Sequence, residues 1–198
     1  MTSAAPLGRI GPNAIIRTVE ALRDRLGEAS TEALLGAAGL SVYARELPEA
    51  MVPEAEVTEL FRVLYERLGE VQTKAVARHA GRRTAEYLLA YRIPAFAQTI
   101  LRLLPARLAC RGLLAALGKN TWTFAGTGMV RLAPGRPASV TIRNCPLCRQ
   151  TRSSAPACDF YAGTFERLFQ RLVSRGAAAE ETACQALGRD ACSFVISY

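Results

Sequence analysis

Six cysteines carry the sharpest chemistry in this 198-residue chain: Cys110, Cys145, Cys148, Cys158, Cys184 and Cys192. Five of them fall in the last 54 residues. Cys145-Pro-Leu-Cys148 is a CxxC knuckle, Cys158 opens an amphipathic run, and Cys184 and Cys192 flank Gly188. An odd-length turn at Gly188 sets Cys184 opposite Cys192 on one face of a hairpin, a preformed pair of soft ligands. A thiolate at a helix N-terminus, the place of Cys158, is favoured by the helix dipole. Zinc takes four ligands in a tetrahedron, mostly thiolates and imidazoles and less often a carboxylate. Two foursomes qualify: Cys145, Cys148, Cys184 and Cys192, or Cys158, Glu181, Cys184 and Cys192. The CxxC spacing speaks for the first. A regular strand aims Glu181 and Cys184 at opposite faces, so the second requires a bulge near residues 181 to 184. Disulfides in place of metal would require export. The N-terminal MTSAAPLGRIGPNAIIRTVEAL holds no uninterrupted apolar core of a signal peptide, so the expectation is a reducing cytoplasm, where clustered thiols bind metal.

The elements that must position these residues change character at Gly118. Before it, helices are expected: Ile15, Val19, Leu22 and Leu26 repeat at helical spacing after Pro12, and Ser30 can cap a short second helix. After Pro48 and Pro53, a long helix from Glu54 carries Val57, Leu60, Phe61, Leu64, Leu68, Val71 and Ala75 on one face, with Gly81 as the candidate bend. Its continuation stops before Pro94. An apolar segment, Phe96 to Leu117, breaks at Pro105 and is interrupted by arginines, so it is no clean transmembrane span. Beyond Gly118 the period becomes two. Asn120 to Leu132 and Ser139 to Asn144 read as one hairpin, Ala179 to Leu187 and Ala191 to Tyr198 as another, with a helix from Asp159 to Ser174 between them. The fold class is α+β: a helical half packed on a four-stranded antiparallel sheet. One domain over residues 1–198 is expected, 1–118 mainly helical and 119–198 holding the sheet and the metal site.

Charge is distributed as unevenly as sulfur. The net charge is +8, yet residues 71–157 hold fourteen basic residues against Glu86 alone, a segment of +13. Such a stretch implies an anionic partner, although 23 of the 25 basic residues are arginine, which also suits a codon-biased genome. His79, the only histidine, continues the stripe of the long helix in phase, so it is expected to face inward, as a core residue or as an axial ligand to a tetrapyrrole magnesium. Arg78, Arg82 and Arg83 beside it suit a propionate carboxylate or a solvated face. Tyr87, Tyr91, Phe96, Trp122 and Phe124 are candidates to line a flat apolar pocket. Gly126-Thr-Gly128 is not a dinucleotide fingerprint, and no nicotinamide, flavin or P-loop motif is visible. Helix-turn-helix and zinc-finger spacings are absent too, so nucleic acid is not an expected partner.

The stretch Glu181-Thr-Ala-Cys184-Gln-Ala-Leu-Gly188-Arg-Asp-Ala-Cys192-Ser-Phe194, preceded by Cys158-Asp-Phe-Tyr161, resembles the C-terminal signature of 4-vinyl-reductase-type domains. Arg9-Ile-Gly-Pro-Asn-Ala14 and the Trp122-to-Arg131 segment extend the resemblance along the chain, toward members that serve bacteriochlorophyll biosynthesis. The resemblance implies the fold shared by transport-protein-particle subunits and a nitric-oxide-sensing family. It also implies a structural zinc on Cys158, Glu181, Cys184 and Cys192, with Cys145 and Cys148 left as an alternative or second site. The implied ligand is a magnesium tetrapyrrole such as a divinyl protochlorophyllide, held by His79, Arg82, Arg83, Tyr91 and Trp122. Implied partners are other enzymes of that pathway, a membrane surface met peripherally and a second copy of the chain. Carrier is favoured over catalyst, because a 4-vinyl reductase needs a reductant for which the sequence shows no site; a zinc-containing regulatory module is the weaker alternative.

Overall fold

A computed structural model describes residues 8–198; part of the leader reading falls on residues 1–7, outside them. The helical half begins with a two-residue antiparallel pair, β1 (Arg9–Ile10) and β2 (Val52–Pro53). Between them lie α1 (Asn13–Leu26) and α2 (Glu28–Ala37). α3 (Glu54–Tyr91) follows, then α4 (Ala95–Leu103) and α5 (Ala106–Gly118), separated at Pro105 as the sequence predicts. α1 lays Ile15, Val19 and Leu22 against α3, all three fully buried.

α3 bends at Gly69, not at Gly81. Gly69 has φ 74° and ψ 176°, outside the helical region, a conformation that a residue without Cβ adopts freely. The break resets the helical phase. Val57, Leu60, Phe61 and Leu64 are buried before it, but Val71 is 83 % exposed, and the buried face resumes at Thr73, Val76, Ala77 and Ala80. His79 is therefore turned outward, contrary to the inward placement that an unbroken stripe predicts. Gly81 has another role: α7 (Asp159–Leu172) crosses α3 there. A Cβ on Gly81 would collide with the Phe160 carbonyl oxygen, and one on Gly163 would meet the Arg78 carbonyl oxygen at 2.5 Å.

The sheet is formed by β3 (Met129–Ala133), β4 (Ala138–Arg143), β5 (Ala178–Ala183) and β6 (Cys192–Ser197), in the order β3-β4-β6-β5 with every pair antiparallel. Period two is visible in burial: Ala138, Val140 and Ile142 of β4 and Cys192, Phe194 and Ile196 of β6 face the core. α7 covers this face with Tyr161, Phe165, Leu168 and Phe169. The α+β architecture is as expected, with one local difference. Thr121–Ala125 is a short helix, α6, and not the start of the first strand. Its β-branched and aromatic residues favour a strand intrinsically, but tertiary bonds override them: Gly11 N–H donates to Thr123 O at 2.7 Å and the Tyr161 hydroxyl to Phe124 O at 2.6 Å.

Candidate metal centre and ligand groove

Four pieces of chain bring the cysteines to one end of the sheet. Cys145 and Cys148 lie in the loop after β4, Cys158 is the N-cap of α7, Cys184 follows β5, and Cys192 begins β6. α3 fixes the first loop. Thr58 Oγ1 donates to Pro146 O at 2.6 Å, and Arg149 Nη1 pairs with Glu54 Oε1 at 2.7 Å. Burial would raise the Glu54 carboxyl, but hydrogen bonds from Arg149 and Thr127 hold it below its ordinary value. Sequence reasoning missed Glu54, because an acid at a helix start reads as a dipole partner, while Thr127 and Arg149 stand 73 and 95 residues away.

The register of β5 shifts between Glu181 and Ala183. This is the irregularity that a joint Glu181–Cys184 site requires. The oxygen of Glu181 and the sulfurs of Cys158, Cys184 and Cys192 all lie within 4.8 Å of one another, and so do those of Cys145, Cys148, Cys158 and Cys192. The two sets are one buried cluster of six donors sharing Cys158 and Cys192. The other sequence foursome, Cys145, Cys148, Cys184 and Cys192, does not emerge as such. Cys158 and Cys192 are 3.6 Å apart, Cys184 and Cys192 3.8 Å, Cys148 and Cys192 3.3 Å, and Cys148 and Cys184 3.8 Å. A tetrahedron with metal–sulfur bonds of about 2.3 Å has edges of about 3.8 Å, so this spacing fits a metal without rearrangement. Cys158, Cys184 and Cys192 form the fixed trio. Glu181 and Cys148 both stand at the fourth position.

The polar bonding separates those two candidates. Glu181 Oε2 accepts the Cys158 N–H at 2.7 Å, while its Oε1 is buried and without any partner. Burial and then the nearby Cys184 push this carboxyl up to about 9. A buried carboxylate oxygen left unpaired is costly unless a cation meets it. Burial also raises Cys158 well above an ordinary thiol; desolvation overrides the helix-dipole effect expected there. The thiols held low are Cys184, to about 7 chiefly by Cys148, and Cys192, to about 6 chiefly by Cys145. Backbone N–H groups of Ala157 and Gln185 point at their sulfurs from 3.4 and 3.5 Å. Cys110 is buried on α5, outside both metal sets.

Toward the other end of α7 an open groove of about 700 Å³ runs between α1, α3 and α7. His79, Arg82, Arg83 and Tyr91 line it together with Arg17 and Tyr87. Its guanidinium groups are already engaged. Arg82 reaches Glu166 Oε1 at 2.7 Å, and Arg78 reaches Glu166 Oε2 at 2.6 Å. Arg83 pairs with Glu20 and Asp24. Burial notwithstanding, those bonds hold Glu166 below an ordinary carboxylate. The His79 imidazole is half-exposed, 3.4 Å from Asp24. Trp122 departs from the expected pocket: it stands on α6, 58 % exposed, and does not line this groove. Phe96 is exposed on α4, and Phe124 packs edge-on against Tyr161.

Residues 138–198, which contain all six donors, match the model of the 4-vinyl-reductase domain family. That agrees with the resemblance carried by Cys158-Asp-Phe-Tyr161 and the Glu181–Phe194 stretch. The chain is 43 % identical over 187 residues to the bacteriochlorophyll synthase 23 kDa chain of Cereibacter sphaeroides, covering 94 % of this chain and 89 % of that one. Identity to the protein of the same name in Rhodobacter capsulatus is 36 %, over 99 % and 92 % of the two chains. Among solved structures, an H-NOX protein of K. algicida in the unliganded Fe(II) state superposes with a TM-score of 0.60 at 10 % identity, covering 95 % and 96 %. One from S. oneidensis gives 0.53 at 12 %, covering 95 % and 98 %. At such identities the likeness establishes the fold, the nitric-oxide-sensing one that the sequence resemblance implies.

Proposed function

This chain belongs to the family of the bacteriochlorophyll synthase 23 kDa chains, and from that premise we propose that it serves bacteriochlorophyll biosynthesis as a carrier of a magnesium tetrapyrrole. The groove carries this reading. Its volume suits a ligand of that size, and it gathers His79, Arg82, Arg83 and Tyr91, four of the five residues selected from sequence as pigment contacts. The imidazole is placed to meet a magnesium, the tyrosines to flank a flat ring, and the arginine rim to receive propionates. The carrier works in the cytoplasm, hands its pigment to other enzymes of the pathway, and meets the membrane from its surface. The whole of residues 1–198 acts as one unit, alone or as a homodimer.

Zinc in this reading is structural. Cys158, Cys184 and Cys192 hold it, and Glu181 supplies the fourth ligand because its orphaned Oε1 has no other buried partner. Four protein ligands leave no open position for chemistry, so the ion ties β5, β6 and the start of α7 together. A reductase reading finds no support in the cluster, since all five thiols are buried. Titration with divinyl protochlorophyllide, followed by absorbance and fluorescence, tests the carrier: a spectral shift at micromolar pigment, weakened in His79→Ala, is expected. No shift, or a shift unchanged by substitutions in the groove, would overturn it.

A further inference from the structure

The internal ion pairs leave the surplus positive charge on one surface. The 72 residues 87–158 contain no acidic residue at all. The arginines of α3 are paired with Glu20, Asp24, Asp159 and Glu166. Arg92, Arg107 and Arg111, around α4 and α5, form no ion pair among the described residues. The same elbow carries the largest run of exposed apolar side chains. Phe96, Ile100 and Leu103 repeat at helical spacing on α4 and are 69, 54 and 81 % exposed, and Leu104 and Leu108 continue the strip across Pro105. α4 cannot simply roll to hide them. Gln98 on its inner face is buried and donates to Leu89 O and Ile93 O at 2.5 and 2.8 Å.

We infer that the α4–α5 elbow docks the protein on an anionic lipid surface, deepening the membrane placement in the reading above. Phe96, Ile100 and Leu103 enter the boundary between headgroups and acyl chains, and the unpaired arginines meet lipid phosphates. Charge complementarity selects this occupant: a second copy would set the same acid-free elbow against its own positive charge. The contact is peripheral, since no helix among the described residues is long and apolar enough to cross a membrane.

The test uses the full chain without pigment, so that its failure leaves the carrier reading standing. Flotation is measured with vesicles of phosphatidylcholine alone and of phosphatidylcholine mixed with phosphatidylglycerol. Binding to the mixed vesicles only, lost at high salt, is expected. Phe96→Ser/Leu103→Ser should reduce it by at least about tenfold, as should Arg107→Glu/Arg111→Glu, whereas Val71→Ser, an exposed apolar residue elsewhere, should leave it unchanged. The inference fails if the protein floats equally with uncharged vesicles or with neither, or if either double variant still floats. It also fails if sedimentation shows a dimer that Phe96→Ser/Leu103→Ser dissolves, which would make the elbow a contact between copies.

Discussion

Glu181 and Glu166 are both buried acids, 8 and 6 % exposed, one on β5 and one on α7, and their surroundings could hardly differ more. Both oxygens of Glu166 are occupied, by Arg78 and Arg82, and the carboxyl is held below its ordinary value. One oxygen of Glu181 has no partner, its neighbours are thiols, and the carboxyl is pushed up to about 9. The protein has completed the first site with its own cations and left the second one short of positive charge. The cluster around Glu181 therefore calls for an external cation, whereas the arginines around Glu166 are structural before they are anything else.

The heaviest blow to this contrast comes from removing a shared sulfur. Cys192→Ser deletes a donor common to both metal sets, and the binding energy of a structural zinc is folding energy. A loss of about 5 kcal/mol or more, with melting lowered by at least about 10 °C and zinc absent by elemental analysis, is expected. Unchanged melting with unchanged metal content would show that the cluster is merely a packed core. The choice of fourth ligand is sharper still. Glu181→Gln should weaken zinc by at least about tenfold in competition with a chelator, while Cys148→Ser should leave it nearly unchanged. The reverse ranking would give the fourth position to Cys148.

Glu166 breaks in a different way. Glu166→Gln leaves two guanidinium groups facing an uncharged amide, and because Arg78 and Arg82 are partly exposed the cost is about 2 kcal/mol, or about 4–8 °C in melting, with metal content untouched. The pH dependence has a definite sign. The folded value of Glu166 lies below the unfolded one, so its contribution is complete above the ordinary carboxylate range and disappears as pH falls through the folded value. Thermal melts on the acid side should therefore flatten in the variant relative to the parent. Parallel acid limbs would mean that the Glu166 pairs contribute nothing to stability.

Spacing alone made the cluster legible, because thiols and a carboxylate announce themselves and the hairpin parity around Gly188 requires a bulge for Glu181 to join. The unpaired state of Glu181 Oε1 was not legible, since it depends on what α7 and β5 bring near. Elements were readable wherever period and punctuation agreed, as at Pro105 between α4 and α5. They were misread where a tertiary contact outweighed a local preference. The strand propensity of Thr121–Ala125 yields to bonds from Gly11 and Tyr161. Gly69 and Gly81 look alike in sequence, yet one bends α3 and the other admits the backbone of α7. The pairing of Arg82 with Glu166 spans 84 residues, and periodicity cannot see that far.

The smallest effect on stability is expected at His79, where the break at Gly69 matters most. Phase counted through Gly69 buries the imidazole, and a buried imidazole would be expensive to remove. The observed ring is half-exposed, with one long contact of 3.4 Å to Asp24, which Arg83 already neutralises. His79→Ala should consequently shift stability by less than about 0.5 kcal/mol, as surface substitutions do. Its effect on a bound magnesium tetrapyrrole should be much larger, because losing an axial ligand changes the absorbance of the pigment. A variant that melts normally and also binds pigment with an unaltered spectrum would remove His79 from the site and leave the groove to its arginines and tyrosines. A variant that melts several degrees lower would instead restore the histidine to the core, in conflict with the break at Gly69.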